Sequence, residues 1–201
     1  DLIDMGLDKG NLDALRRSWP VFKRSTKRIT HFVQDMLSFS KPRTPLRELF
    51  RIEAVLDEAC DLFRELFAMK QISLEVDTSG VTGSVHADRE ALFRCLLNLL
   101  TNAADAVPSK DGWIGIRAQT RAGQLSVVVE DNGPGVPEAI REQIFDPFFS
   151  SKGSKGTGLG LAVTRKILRE HGGDIRVSGM AGQGAVFTFE IPAEPPEEKV
   201  V

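Results

Sequence analysis

Two asparagines four positions apart are the first residues of this chain whose type and spacing suit a chemical role. Asn98 and Asn102 lie in the segment 98–103 (NLLTNA) of a predicted helix, so both amides project from one helical face. An amide oxygen is a neutral hard ligand, suited to Mg²⁺ that already holds phosphate oxygens. A solvated polar face is the plain alternative, but the leucines that surround both asparagines fit it poorly.

The second cluster, residues 131–135 (DNGPG), directly follows a predicted strand from Leu125 to Glu130. A carboxylate at a strand end, here Asp131, can accept a hydrogen bond from an adenine amino group. The two glycines let the backbone come close to a flat ring. Taken alone, the segment is typical of an ordinary turn.

The third cluster, residues 145–149 (FDPFF), stands beside the polar stretch that includes Lys152. Three phenylalanines around a proline are usually core residues. Their position beside a stretch rich in Gly, Ser and Lys also fits the hinge and anchor of a lid, which is expected to be mobile without ligand and ordered with it.

The fourth cluster, residues 156–161 (GTGLGL), opens a predicted helix that runs to Glu170. Glycines free the backbone N–H groups, and a helix N-terminus attracts anions. This motif alone is weak evidence. Neither the βαβ unit of a dinucleotide-binding fold nor the Gly-Lys-Ser/Thr of a Walker loop accompanies it.

Hydrophobic periodicity predicts the elements that must position these clusters. One long helix, residues 12–40, carries an apolar stripe and contains Pro20, which must either kink the helix or lie in its first turn. The other predicted helices cover residues 52–69, 88–107, 137–144 and 161–170. The predicted strands cover residues 72–76, 113–118, 125–130, 174–178 and 185–191. Because the order shows no βαβ regularity, we predict an α+β fold built as a two-layer α/β sandwich.

Composition narrows the class of protein. The 201 residues are 41% hydrophobic and 27% charged, with a formal net charge of −2. This balance and the lack of a long basic run favour neither nucleic acid nor a membrane surface as partner. No signal peptide or membrane-spanning run is found. Cys60 and Cys95 lie in apolar contexts, so we expect buried reduced thiols and a cytoplasmic setting, with any membrane anchor elsewhere in a longer protein.

The four clusters share one order and spacing, and over residues 46–192 they resemble the GHKL ATPase superfamily and, within it, the sensor histidine kinases. The asparagine box of that family is matched by residues 98–103 and its first glycine box by residues 131–135. Its phenylalanine box is matched by residues 145–149 and its second glycine box by residues 156–161. The resemblance implies the GHKL (Bergerat) ATP-binding fold, preceded by a long dimerisation helix.

The resemblance also implies roles for individual residues. Asn102 would hold Mg²⁺ with help from Asn98, Asp131 would recognise adenine, and Lys152 would meet the phosphates of ATP; the expected catalytic residues are Asn98, Asn102 and Lys152. Asp105 and Ala106 match the nitrogen-regulation-type kinases, where many other members have a basic residue and a tyrosine. The residues expected to bind nucleotide are Asn98, Asn102, Asp105, Ala106, Asp131, Gly133, Gly135, Val136, Ile144, Phe149, Lys152, Gly156, Thr157, Gly158, Leu159, Gly160 and Leu161.

By the same resemblance the chain is expected to divide into four parts. These are a partial dimerisation and phosphotransfer hairpin (1–41), a linker (42–49), an ATP-binding catalytic domain (50–192) and a flexible tail (193–201). The implied activity is that of a protein-histidine kinase of a two-component system. It uses ATP and Mg²⁺, forms a homodimer through the hairpin, and passes the phosphoryl group to a response-regulator receiver domain.

The phosphoacceptor box of the family, a His with an acidic neighbour and a following Asn-Pro, is missing from this sequence. His31 is followed by two apolar residues, His86 precedes a helix cap, and His171 ends a helix. The acceptor is therefore expected on a first hairpin helix upstream of Asp1.

Three other functions compete. Gyrase- or chaperone-type members hydrolyse ATP and carry a glutamate one helical turn before the metal asparagine, where this chain has Asn98, which cannot take a proton. Serine kinases of the anti-sigma type usually lack a dimerisation hairpin, which the helix over residues 12–40 resembles. A nucleotide-binding scaffold without turnover is the third alternative, because glycine boxes indicate binding more directly than catalysis.

Overall fold

The computed structural model describes residues 12–40, 44–150, 156–179 and 182–194. The chain forms two compact units, residues 1–41 and 42–201. In the first unit, helix α1 runs from Leu12 to Ser40, as predicted. Pro20 lies well inside this helix and not in its first turn. Among the described helices, none is long and apolar enough to cross a membrane.

The second unit combines three helices with seven strands in its described part. Its strands are β1 (Glu48–Phe50), β2 (Ile72–Gly80), β3 (Val85–Ala87), β4 (Gly112–Arg121), β5 (Gln124–Asp131), β6 (Asp174–Ser178) and β7 (Ala185–Pro192). Its helices are α2 (Ile52–Lys70), α3 (Arg89–Ala106) and α4 (Gly160–Glu170). Two short 3₁₀ helices are Glu138–Ile140 and Gln143–Phe145.

Five strands form the main sheet in the order β2-β4-β5-β7-β6, and β1 pairs with β3 in a separate ribbon. Alternate side chains of β4, β5 and β7 point to the helices, as their alternating burial shows. The core lies between this face and the helices; its largest fully buried side chains include Leu92, Leu96, Leu99, Ile114, Leu125 and Phe189. The predicted two-layer α/β sandwich is confirmed.

The N-terminus of α3 is fixed by Asp88, as its sequence position predicts. Asp88 Oδ1 accepts a hydrogen bond from the Ala91 N–H, and its Oδ2 accepts one from the Leu46 N–H, both at 3.0 Å. The Asp88 N–H in turn donates to Nε2 of His171 at 3.0 Å. His171 is buried, and its Nδ1–H donates to the Ile167 carbonyl at 2.7 Å. This histidine therefore has a structural role, linking the end of α4 to the start of α3.

The structure departs from the sequence expectations in several details. Strands β1 and β3 were not among the predicted strands. The single helix predicted over residues 137–144 is instead a pair of 3₁₀ turns, closed by i to i+3 bonds such as Phe145 N–H to Glu142 O at 3.2 Å. In addition, β2 and β4 are parallel, so the chain crosses over between them through β3 and α3. The alternation of each strand predicts its exposed face but not the direction of its neighbour.

Candidate functional site

The asparagine cluster lies on α3, with its leucine neighbours buried in the core. Asn98 Nδ2 donates to the Gly160 carbonyl at 3.1 Å and to Thr164 Oγ1 at 3.2 Å. Asn102 lies one turn later and is half-buried. The side chain of Asn98 therefore fastens α3 to the first turn of α4, and brings the first and fourth clusters together.

Asp131 is the last residue of β5 and is 4% exposed. Its Oδ1 accepts hydrogen bonds from the Gly133 N–H at 2.8 Å and from the Ala185 N–H at 3.4 Å. A Cβ on Gly133 would lie 2.8 Å from this Oδ1 and 2.9 Å from the Ala106 carbonyl. Glycine is therefore required here, because the loop passes directly between the carboxylate and the end of α3.

Residues 182–184, which lead into β7, pack against the same loop, a contact that the sequence did not predict. Gly182 N–H donates to the Pro134 carbonyl at 2.6 Å. Gly184, with φ +91°, lies so close to the strand end that a Cβ would be 1.9 Å from the Asp131 carbonyl oxygen. The spacing Gly-Gln-Gly before a strand was the available signal, but it predicts only a turn.

The aromatic cluster is divided between core and surface. Phe145 is 6% exposed, whereas Phe148 is 65% exposed and has a left-handed backbone with φ +68°. The Phe148 N–H donates to the Gly158 carbonyl at 2.9 Å, and a Cβ on Gly158 would lie 2.5 Å from the Phe148 carbonyl carbon. The third and fourth clusters are thus in direct backbone contact.

Helix α4 begins at Gly160, just after Leu159. Leu159 is 1% exposed, so its side chain belongs to the core and only its backbone can meet a ligand. Its N–H lies 3.3 Å from Thr157 Oγ1. The first N–H groups of an eleven-residue helix have no acceptor within the helix itself, so such an N-terminus is a suitable anion site.

The remaining residues expected to bind nucleotide differ in how deeply they are buried. Ile144 is buried, Val136 and Phe149 pack against the core, and Asp105 is exposed on the last turn of α3. Lys152 and most of the expected lid lie outside the described residues, as do the first eleven residues and those from 195 onward.

Charged side chains link the surface of α4 to the neighbouring 3₁₀ turns and to β6. The Arg165 guanidinium lies 5.0 Å from the Phe145 ring centroid, and it bonds Asp174 Oδ1 at 3.1 Å and Glu142 Oε2 at 3.3 Å. Partial burial acts to raise the pKa of Asp174, but hydrogen bonds from Arg169, the Ile175 N–H and Arg165 hold it below its ordinary value.

The two cysteines are buried, as expected. Burial raises the pKa of the Cys60 thiol to about 11 and that of Cys95 to about 12. Neither thiol is therefore a nucleophile at neutral pH.

The fold and these contacts define the class of protein as a nucleotide-binding α/β sandwich of the GHKL type. A family model described as "Histidine kinase-, DNA gyrase B-, and HSP90-like ATPase" matches residues 87–195. The chain belongs to this family, as its four clusters predicted.

Curated relatives are sensor kinases. The signal transduction histidine-protein kinase AtoS of Escherichia coli strain K12 is 36% identical over 174 residues, which cover 86% of this chain and 28% of AtoS. The sensor histidine kinase ZraS of Salmonella typhimurium strain LT2 is 31% identical over 173 residues, which cover 86% of this chain and 37% of ZraS. The chain spans about a third of the length of these relatives.

Solved structures agree. Full-length ShkA in complex with AMPPNP matches with a TM-score of 0.79 and 28% identity, covering 90% of this chain and 39% of ShkA. The histidine kinase ThkA in complex with the response regulator protein TrrA matches with a TM-score of 0.77 and 31% identity, covering 92% of this chain and 53% of ThkA.

Proposed function

We propose that this chain binds Mg-ATP and transfers the γ-phosphoryl group to a histidine of a dimerisation hairpin, for relay to an aspartate of a response-regulator receiver domain. The observation that carries the proposal is the set of contacts that brings the four clusters together. Asn98 bonds Gly160 and Phe148 bonds Gly158, so three clusters are in direct contact. The first glycine cluster joins them through the end of α3, where Gly133 packs between Asp131 and Ala106.

The residues fit a magnesium nucleotide. Asn102 offers an amide oxygen on the same face of α3 as Asn98, which is bonded to the start of α4. The N-terminus of α4 offers backbone N–H groups to phosphate oxygens. Magnesium, when bound, neutralises charge on the transferring phosphoryl group. Asp131, oriented by two backbone N–H groups, would accept a hydrogen bond from the adenine amino group.

Phosphoryl transfer is favoured over hydrolysis by the chemistry of Asn98. An amide cannot accept a proton from water, so the position one turn before Asn102 holds no general base. The Asn98 NH₂ group is also committed to Gly160 and Thr164. These bonds orient the side chain as a link between two helices.

The relatives support the finer parts of the proposal. AMPPNP in the ShkA complex supports ATP as the nucleotide, and TrrA in the ThkA complex supports a receiver domain as partner. The exposed apolar side chains of α1, which include Phe22 and Ile29, support a homodimer through the hairpin. We place this part of the protein in the cytoplasm, where response regulators act, while the full-length protein is membrane-anchored if it follows the sensor architecture that its resemblance implies.

We further propose that the phosphoacceptor belongs to another helix of the hairpin. His171 is buried with both ring nitrogens hydrogen-bonded. His86 lies in β3, where its backbone N–H donates to the Ala193 carbonyl and its ring Nδ1 is buried away from solvent. His31 lacks the acidic neighbour that would activate an acceptor imidazole. This chain should therefore bind nucleotide without labelling itself from radioactive ATP. Label on the chain that His31→Gln abolishes would contradict this and identify His31 as the acceptor.

Titration calorimetry with ATP and Mg²⁺ tests the binding site. Asp131→Asn should weaken ATP binding by about tenfold, because it disturbs a charged hydrogen-bond acceptor opposite the base. Asp77→Asn, which removes an exposed carboxylate of β2, is the matched control and should leave the affinity unchanged. Equal affinities for the wild type and Asp131→Asn would show that the base is recognised elsewhere.

A further inference from the structure

The wall behind Asp131 is made by residues 182–185, which end the connection between β6 and β7 and begin β7. Ala185 N–H donates to the Asp131 carboxylate, Gly184 packs on the Asp131 carbonyl, and Gly182 N–H bonds Pro134. The orientation of this carboxylate therefore depends on where the connection lies. A shift of the connection by a fraction of an ångström would lengthen the Ala185 bond, which is already 3.4 Å.

One side chain joins this connection to the first glycine cluster. Arg141, half-buried after the first 3₁₀ turn, donates from Nε to the Val136 carbonyl at 3.3 Å. Its Nη2 donates to the Gly179 carbonyl, directly after β6. Because a guanidinium is rigid and planar, the two bonds fix the distance between the two carbonyls. The ammonium of a lysine is a point charge on a flexible stem and cannot impose that spacing.

We infer that Arg141 is a positioning residue for base recognition. It holds Gly179, which packs on Gly184 and Ala185, at a fixed distance from the glycine cluster, so that Ala185 and Gly133 keep their bonds to Asp131. Arg141 does not touch the nucleotide in this account. The inference rests on the proposed ATP site, and it predicts that the loss of Arg141 reduces discrimination for the adenine amino group more than it reduces binding of the phosphates.

The test compares two nucleotides that differ at that group. Affinities for Mg-ATP and Mg-ITP, which has an oxygen in place of the 6-amino group, are measured for the wild type, Arg141→Met, Arg141→Lys and the exposed control Arg121→Met. We expect Arg141→Met to lose about tenfold in ATP affinity and less than about threefold in ITP affinity, the scale of a hydrogen bond to a charged group. Arg141→Lys should recover only part of the ratio, and Arg121→Met should match the wild type.

The outcomes separate the two claims. An ATP-to-ITP ratio in Arg141→Met equal to that of the wild type overturns the positioning role, even if both affinities or the melting temperature fall together, because a merely structural residue would affect both nucleotides alike. Full recovery of the ATP-to-ITP ratio by Arg141→Lys overturns the explanation that a rigid, planar guanidinium is needed. If the wild type itself binds neither nucleotide, or binds both equally, the proposed ATP site is wrong, whatever the Arg141 variants show.

Discussion

Helix α1 and the α/β unit differ in how far their apolar side chains are buried. On α1, Trp19 is 56% exposed and Ile29 is 64% exposed, although both belong to the predicted stripe. In the α/β unit, Leu92 and Leu96 of α3 are fully buried. The difference shows that the second unit completes its own core, whereas the described side chains of the helix include exposed apolar residues. The proposed homodimer through the hairpin would cover them.

The largest expected effect is on the core of the α/β unit. Leu96→Ala removes a fully buried side chain of α3, and should lower the free energy of unfolding by about 2–5 kcal/mol, because a cavity remains where the side chain was. Urea unfolding followed by circular dichroism measures this loss.

Phe22→Ala on α1 is the matched change in the other region, where the Phe22 ring is 47% exposed. It should leave unfolding of the α/β unit unchanged and weaken self-association, which sedimentation velocity at several concentrations detects. Equal destabilisation of the α/β unit by both substitutions would mean that the two regions share one core, and the contrast between them would be lost.

The next effect concerns nucleotide binding, for which we propose a site in the α/β unit alone. Asn102→Ala should weaken Mg-ATP binding by about tenfold or more, and should abolish most of the gain that Mg²⁺ gives over ATP with EDTA. Trp19→Ala on α1 should leave both affinities unchanged. A wild-type dependence on Mg²⁺ that persists in Asn102→Ala would move the metal site away from this asparagine.

The smallest expected effect is the pH dependence of the ion pairs that brace α4. The pKa of Asp174 lies below its ordinary value, so its ionised form stabilises the folded state above about pH 4, and this contribution is lost as the pH falls through the lowered folded pKa. Its carboxylate is 47% exposed, so the gain should not exceed about 1 kcal/mol. Melting temperatures should show a deficit for Asp174→Asn at pH 7 that shrinks at pH 3, and a deficit of the same size at both pH values would contradict this role of the Asp174 carboxylate.

The sequence predicted the elements of the fold better than the links between them. Helix α3 could be bounded because Asp88 caps it, and a turn between β4 and β5 could be placed because Gly123 readily adopts a positive φ angle. Local patterns carry this information. The parallel pairing of β2 with β4 could not be predicted in the same way, since alternation within a strand does not reveal its neighbour.

The candidate site shows the same division. The glycine boxes and asparagines could be found because their residue types are unusual at those positions. Arg141 and Ala185 could not, because their contribution is a bond to a backbone or carboxylate oxygen far away in the sequence. Only the folded arrangement of β6 and β7 brings the Ala185 N–H to Asp131 and the Gly179 carbonyl to Arg141.

The most direct test of the account is phosphoryl transfer in trans. The chain is incubated with γ-labelled Mg-ATP and a separate hairpin fragment that carries a histidine followed by an acidic residue, taken from the same full-length protein. We expect acid-labile, base-stable label on that histidine. The label should be lost when the chain carries Asp131→Asn or Asn102→Ala. Release of free phosphate at a comparable rate with no label on the hairpin would contradict it and identify the chain as a hydrolase.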